Sequence, residues 1–364
     1  MAIKKMKFYT LNKILKADST YNVIFGERSN GKTYAVLKYG LEQFQKNGGQ
    51  IGIVRRWQDD IRGQRASGIW TALIKNNEIE KITKGEFTGV HYYASKFYLC
   101  NYSDDGKAIY NDNDLIGHTF ALSDTEHNKS ISYPNITTIL FDEFLTRKIY
   151  LNDEFVLFMN TISTIVRQRD NVKIFMLGNT VNKYCPYFNE MGLTHIQKMK
   201  QGTIDVYTYG NSKLNVSVEY CSPSNKNKDS NFYFAFDNPK LNMITSGAWE
   251  LDIYPHLPIK YTPKDIMLIY FIKFDEKIYQ CEIISVDDEM FTYIHDKTTD
   301  IKNDDDLVYS LEYSHKITYN RSIYKPNTQI GKKILFFYQM DKVFYQDNNV
   351  GDSINNYLKI CKGL

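Results

Sequence analysis

Gly26-Glu27-Arg28-Ser29-Asn30-Gly31-Lys32-Thr33 fits the pattern G-x-x-x-x-G-K-[ST] from end to end. Upstream, Tyr21-Asn22-Val23-Ile24-Phe25 is apolar and β-branched, which reads as a short buried strand. Downstream, Tyr34-Ala35-Val36-Leu37-Lys38-Tyr39 reads as the opening turns of a helix. Strand, glycine loop and helix in that order form a phosphate cradle. Backbone N–H groups converge on the anion and the helix dipole adds positive potential. In that cradle Lys32 is expected to reach the β- and γ-phosphates and the Thr33 hydroxyl to bind Mg²⁺. The loop therefore predicts binding of a nucleoside triphosphate, with ATP and Mg²⁺ as the expected pair, and all eight residues from Gly26 to Thr33 as its contacts.

Outward from the loop, apolar strands alternate with helical stretches up to about Tyr209. Gln50–Val54 reads as a second strand, followed directly by Arg55-Arg56. His91–Asn101 and Ala108–Asn111 alternate aromatic and polar residues, as hairpin strands do. Ile136–Phe141 and Val172–Leu177 read as buried strands, and Asp153–Arg167 between them carries helical spacing at Phe155, Phe158, Met159 and Ile162. Such alternation around a phosphate loop predicts an α/β domain with a largely parallel sheet covered on both faces.

Thr137-Thr138-Ile139-Leu140-Phe141-Asp142-Glu143 supplies the second half of an ATPase site. An Asp-Glu pair is common on surfaces, but here it ends a strand downstream of a phosphate loop. Asp142 is expected to hold Mg²⁺ through water, and Glu143 to orient and polarise the attacking water. An acid directly after the aspartate marks the branch of P-loop proteins that includes motors, helicases and transporters. Two further segments stay open on residues alone. Leu177-Gly178-Asn179-Thr180 ends the next strand, where Asn179 either senses the γ-phosphate or simply begins a loop. Arg167-Gln168-Arg169 closes a helix, where a guanidinium either reaches a neighbouring subunit's phosphate or is solvated and favoured by the helix dipole.

Composition bounds the rest. At 364 residues the chain suits two domains. Hydrophobic content of 43% is ordinary for a globular protein, and a net charge of +3 gives no global basic field for nucleic acid. Any DNA contact must come from local patches. The longest apolar run, Ile266–Ile272, is too short to span a bilayer, and no apolar segment follows Lys4, Lys5 and Lys7 to make a secretory signal. The five scattered cysteines never form a C-x-x-C pair, which argues against a disulfide framework or a zinc site.

Taken together these segments resemble the DNA-packaging ATPase of phi29-like bacteriophages. The resemblance rests on Gly26–Thr33, on Ile53-Val54-Arg55-Arg56, on Tyr133-Pro134-Asn135 leading into Phe141-Asp142-Glu143-Phe144, and on Val166-Arg167-Gln168-Arg169 with Gly178-Asn179. It implies an ATP-driven motor of the branch named above, translocating double-stranded DNA into an empty capsid. It further implies a homo-oligomeric ring, expected to hold five subunits, docked at the portal or connector. A structural RNA is a further candidate partner. The expected location is the host cytoplasm, with transient docking at the portal vertex and absence from the mature virion. By position Arg167 matches the family's arginine finger, and Lys129 matches a basic residue acting between subunits. A helicase or recombination ATPase working on single strands is the alternative; it would use aromatic stacking platforms.

Beyond about Cys221 the texture changes. Residues 216–260 read as a linker between an ATPase domain at 1–215 and a second domain at 261–364, centred on the polar, turn-rich stretch after Cys221. The strand runs at Ile266–Phe274, Ile278–Ile284 and Met290–His295, followed by a helical tail near Ile354–Ile360, predict a small α+β domain. The resemblance implies an RNase H type nuclease fold that has lost its chemistry. Such nucleases hold two metals with carboxylates on central strands. The candidate first strand contains no acid, and Glu282 on the next one stands without partners in the sequence, so no cleavage is expected.

Overall fold

The computed structural model describes residues 8–124, 131–146, 150–151, 153–180, 185–210, 212, 214–222, 254–257, 259–287 and 289–363. Contacts divide the chain into two compact units, with the main boundary after residue 250.

The first unit is built on β1 (Tyr21–Gly26), whose six residues are all buried, as a strand covered on both faces must be. It runs through the glycine loop into α1 (Lys32–Asn47), and Gly48 in the left-handed region (φ 72°) closes that helix. Next come β2 (Gln50–Arg55), the short helices α2 (Gly63–Ser67), α3 (Thr71–Lys75) and α4 (Glu78–Ile82), then β3 (Gly89–Tyr93), β4 (Lys96–Tyr102), β5 (Ala108–Ile109) and β6 (Leu115–Ala121). The acid-bearing strand is β7 (Ile136–Asp142), followed by α5 (Glu154–Val166), β8 (Lys173–Asn179), α6 (Pro186–Glu190), β9 (Ile204–Thr208) and β10 (Asn215–Tyr220).

These strands join one sheet in the order β3-β4-β6-β2-β7-β8-β1-β10-β9, with β5 beside β4. The six from β6 to β10 in that order pair in parallel, and antiparallel strands sit only at the two margins. The expected α/β fold with a largely parallel sheet is present. Strand β8 lies between the phosphate-loop strand β1 and the acid-bearing strand β7, the arrangement of the P-loop branch anticipated from Glu143.

The two faces of the sheet carry separate cores because side chains alternate along each strand. On one face α1 packs Val36, Leu37 and Leu41 with Ile51, Ile53, Leu140 and Phe175. On the other, Phe141 stacks on Phe158 of α5 at 4.9 Å between ring centroids and meets Tyr187 of α6 edge-on at 5.6 Å.

One boundary needs correction. Residues 216–220 are not the start of a linker but belong to β10, hydrogen-bonded in parallel along β1 from Tyr21–Val216 to Phe25–Tyr220. The valines at 216 and 218 are what the parallel sheet buries there. Most of the remaining expected linker, residues 223–253, lies outside the described residues.

The second unit is a six-stranded sheet. It comprises β11 (Ile266–Phe274), β12 (Lys277–Val286), β13 (Glu289–Lys297), β14 (Val308–Ser310), β15 (Tyr319–Asn320) and β16 (Val343–Tyr345), with helices α7 (Gln329–Gln339) and α8 (Asn348–Gly363). The order is β15-β14-β11-β12-β13-β16. Strands β11 to β13 form an antiparallel meander, and β14 and β16 flank it in parallel. This is the expected α+β, RNase H-like layout. One sheet face is closed by the helices: the Tyr270 hydroxyl meets that of Tyr338 at 3.0 Å, and Phe274 packs edge-on against Tyr357. All five cysteines are buried thiols without a disulfide, and among the described residues no helix is long and apolar enough to cross a membrane.

Candidate functional site

In a parallel sheet the carboxyl ends of all strands lie along one edge, and loops there share a crevice. That edge gathers the residues singled out from the sequence. Gly26 ends β1 directly beside Asn179, the last residue of β8. A Cβ on Gly26 would stand 2.9 Å from the Cys221 Cβ, so glycine is required where the chain turns under β10. Gly31 sits at φ 95° and opens α1, a conformation that only glycine adopts without strain.

Lys32 is buried beneath the loop. Its ammonium donates to the Glu27 carbonyl at 2.7 Å, to the Asn30 side chain at 3.2 Å and to the Asn179 side chain at 3.4 Å. Carbonyl and amide oxygens thus surround the lysine, groups that a phosphate oxygen can replace. The Thr33 hydroxyl points the other way, donating to both oxygens of Asp142 at 3.3 and 3.2 Å. A hydroxyl and a carboxylate from two elements suit a hard cation that keeps most of its waters, so these residues fit Mg²⁺. Among the described residues there is no cluster of three or more His, Cys, Asp or Glu that could hold a metal. A magnesium ion in this kind of site needs none, because substrate oxygens and water complete its shell.

Glu143 follows at the head of the crevice, its side chain 65% exposed and its backbone in the left-handed region at φ 62°. Arg55, the last residue of β2, grips both acids, donating to Asp142 at 2.8 Å and pairing with Glu143 at 3.0 Å. Opposed to these groups is a cavity of about 900 Å³. Lys32, Thr33, Asp142, Glu143 and Asn179 line one part of it, and Leu11, Leu15 and Tyr39 another. A polar end beside an apolar slot suits a phosphorylated ligand with a flat organic portion.

The N-terminal segment forms the slot's outer wall. The Tyr9 N–H donates to the Asn30 carbonyl at 2.9 Å, tying the segment to the phosphate loop. The Tyr9 hydroxyl donates to Glu219 of β10 at 2.7 Å; burial, with the Glu219 charge beside it, pushes the phenol well above its ordinary value. Burial also raises the Cys221 thiol to about 12.

The structure separates the two arginines that the sequence left open. Arg169 is a structural residue: its guanidinium donates to the backbone carbonyls of Tyr133, Pro134, Ile136, Ile165 and Val166. That set pins the turn before β7 to the end of α5. Arg167 stands at the left-handed end of α5 (φ 42°) and donates to the Ile131 carbonyl at 3.0 Å. It lies where β7 and β8 begin, while Asp142 and Asn179 lie where they end. The length of these strands, about 20 Å, separates it from its own chain's crevice. Lys129 lies outside the described residues.

Three features escaped the sequence reading: the Arg55 clamp on the acids, the N-terminal wall, and a buried pair between Arg56 and Glu154. The adjacent arginines at the end of a strand were the available signal for the first and third. The N-terminal wall had none.

Residues 3–243 match the family model of the podovirus DNA encapsidation protein (Gp16). The DNA packaging proteins of Bacillus phage PZA and Bacillus phage phi29 are each 32% identical over 188 residues, a match covering 50% of this chain and 50% of the relative. That match spans about half the length of these relatives. Two solved structures align over nearly the whole chain. The phi28 gp11 DNA packaging motor covers 97% of it and 98% of its own chain at a TM-score of 0.57, with 19% identity. The bacteriophage phi29 viral genome packaging motor assembly covers 96% and 99% at 0.56, also with 19% identity. At that identity both likenesses concern the fold, across both units. With a family match spanning well over half of its length and the P-loop motif intact within it, the chain belongs to the podovirus DNA encapsidation protein (Gp16) family.

Proposed function

We propose that this chain is the ATP-hydrolysing subunit of a viral motor that drives double-stranded DNA into an empty capsid. The observation that carries the reading is the meeting of Lys32, Thr33, Asp142 and Asn179 at one strand edge, beside a cavity of about 900 Å³. A family of encapsidation proteins needs an energy source, and this crevice has the parts of one.

Loop N–H groups from Glu27 to Lys32 and the start of α1 hold the phosphates, and Lys32 exchanges its internal oxygens for those of the nucleotide. Thr33 and Asp142 would hold Mg²⁺, which would offset the negative charge of the phosphates. Glu143, exposed at the crevice mouth, orients and polarises the attacking water. Asn179, already within 3.4 Å of the Lys32 ammonium, contacts the terminal phosphate. Arg55 must release both carboxylates as the ligands arrive, since its guanidinium occupies the oxygens that would meet cation and water.

Arg167 acts in trans, on ATP held by the neighbouring subunit of a ring of identical subunits, five in the fullest form of the reading. Its position at the edge remote from its own crevice supports this, because a finger for a neighbour must face outward. The ring docks at the portal of the empty capsid in the host cytoplasm, with a structural RNA as a further candidate partner. No nuclease activity accompanies it: β11 contributes no carboxylate, and the Glu282 carboxylate of β12 is occupied by neighbouring side chains. The direct test is uptake of double-stranded DNA into purified empty capsids with ATP. DNA should become nuclease-protected only when this protein is present; protection without it, or none with it, contradicts the proposal.

A further inference from the structure

Arg55 ends β2 and Arg56 follows it directly, and their guanidinium groups go to opposite faces of the sheet. Val54 pairs with Phe141 on the neighbouring strand, and just beyond that pair Arg55 and Arg56 meet the turn at Asp142 and Glu143. Arg55 takes the carboxylates on the α1 side. Arg56 goes to the α5 side and takes the backbone. Its guanidinium donates to the Glu143 carbonyl at 3.2 Å and to the Phe144 carbonyl at 2.8 Å.

The same guanidinium forks onto Glu154, the first residue of α5, at 2.7 and 2.8 Å. Glu154 is fully buried, and its carboxylate also accepts from the Tyr187 hydroxyl at 2.8 Å and the Leu151 N–H at 2.7 Å. Each carboxylate oxygen thus has two donors. A buried pair satisfied in this way holds a fixed geometry, which an isolated charge in the same place would not.

What the pair fixes is unusual. Glu143 is a non-glycine residue in the left-handed region, a conformation that persists only when its surroundings hold it. Hydrogen bonds hold the backbone of the turn: the Glu143 N–H donates to the Asp142 carboxylate, the Phe144 N–H to the Leu177 carbonyl, and the Glu143 and Phe144 carbonyls accept from Arg56. Of these only Arg56 links the turn to another layer of the fold.

We propose that Arg56 is a positioning residue for the reaction, holding the Glu143 backbone in the conformation that projects its carboxylate into the crevice, with Glu154 and Tyr187 holding Arg56 in turn. It touches neither nucleotide nor water. The inference rests on the reading of Glu143 as the residue that polarises water. A guanidinium is required because one planar group must serve a carboxylate and two carbonyls at once; an ammonium cannot fork that way. Loss of the fork misplaces Glu143 without touching the phosphate cradle, which belongs to other elements.

The test uses the full chain and compares wild type with Arg56→Lys and with the double variant Arg56→Gln/Glu154→Gln. Arg56→Lys keeps the buried charge balance, and the double variant removes both charges together, so neither leaves a lone buried ion. Three quantities are read: ATP turnover, affinity for a fluorescent ATP analogue, and unfolding midpoint. Both variants should lose about 10- to 100-fold in kcat, the usual effect of a small misplacement, with affinity within about twofold. The double variant should keep its low kcat even when its unfolding midpoint matches wild type. Turnover near wild type in either variant overturns the positioning role. So does a kcat that recovers in step with stability, which would make the pair purely structural. If wild type itself hydrolyses no ATP, the reading of the crevice fails first, and this inference with it.

Discussion

Two glutamates, one in each unit, show how the same side chain is put to different uses. Glu143 follows the last residue of β7, at the edge where loops enclose a crevice, and its side chain is 65% exposed. Glu282 lies in the middle of β12, and its side chain is 6% exposed. Tyr261 donates to one oxygen of Glu282 at 2.5 Å, while Gln280 at 2.6 Å and His295 at 3.4 Å meet the other. Glu143 has its backbone fixed and its exposed carboxylate paired with Arg55 at 3.0 Å. Glu282 has its carboxylate fixed. An acid offered at a strand end can work on a ligand; one whose oxygens are filled by its own neighbours is part of the frame.

The contrast is sharpened most by acting on the first sheet. Lys32→Ala should abolish nucleotide binding, since it removes the charge that meets the phosphates. Glu143→Gln should leave binding intact and stop turnover. Equilibrium binding of a fluorescent ATP analogue beside phosphate release separates the two. Comparable turnover in wild type and Glu143→Gln would break the comparison at its strongest point.

Next in size is Arg167. An arginine finger contributes about 10³–10⁵ in rate, so Arg167→Ala should lower turnover far more than affinity. Mixing is the decisive form. Arg167→Ala and Lys32→Ala subunits should each be inactive, and activity should return when both occupy one ring, because an intact Arg167 can then face an intact loop. No recovery at any ratio, with mixed rings demonstrably formed, would remove the trans role.

Effects in the second unit should be smaller. The hydrogen bond and charge of Glu282 raise His295 above the ordinary histidine value of about 6.5 against the opposing effect of burial. Burial raises the Glu282 carboxyl, but donors from His295, Tyr261 and Gln280 outweigh it and hold the group below its usual range. The raised histidine stabilises the folded unit fully below about 6.5, and that contribution fades as pH climbs through the folded value. The lowered carboxyl stabilises it above about 4.5, fading as pH falls through its own folded value. The unit should therefore be most stable between those limits and lose a little as pH rises toward 8. Glu282→Gln should flatten that loss and return the His295 titration, followed by NMR, toward 6.5, with ATP turnover unchanged. The smallest expected effect is none at all: incubation with plasmid and Mn²⁺ should give no nicking. Reproducible nicking abolished by changing Glu282 would put the two glutamates in the same class.

The crevice was largely legible in the sequence because its parts are contiguous. Gly26–Thr33 and Thr137–Glu143 each carry their strand context with them, and the sheet brings both to one edge. The clamp of Arg55 and Arg56 was not legible, because it depends on β2 lying next to β7, a pairing between segments about 85 residues apart. Strand β10 was hidden for a similar reason. Residues 216–220 adjoin a polar stretch and read as linker until β1 is there to pair with them. In β6, Gly117 and His118 interrupt the alternation that would have marked a strand. Glycine is needed at 117 because a Cβ there would stand 2.5 Å from the Ile51 carbonyl oxygen of the neighbouring strand. On residues alone Arg167 and Arg169 look alike; the family resemblance picks out Arg167, and the carbonyls gathered around Arg169 give that residue its structural part.

We propose above that ATP hydrolysis at the Glu143 crevice drives DNA inward. The most direct measurement is DNA uptake into empty capsids with wild-type protein and with Glu143→Gln, at ATP concentrations that saturate both. Wild type should protect DNA from added nuclease in proportion to ATP consumed, and Glu143→Gln should bind ATP yet protect none. Protection by Glu143→Gln at a rate near that of wild type would contradict the account.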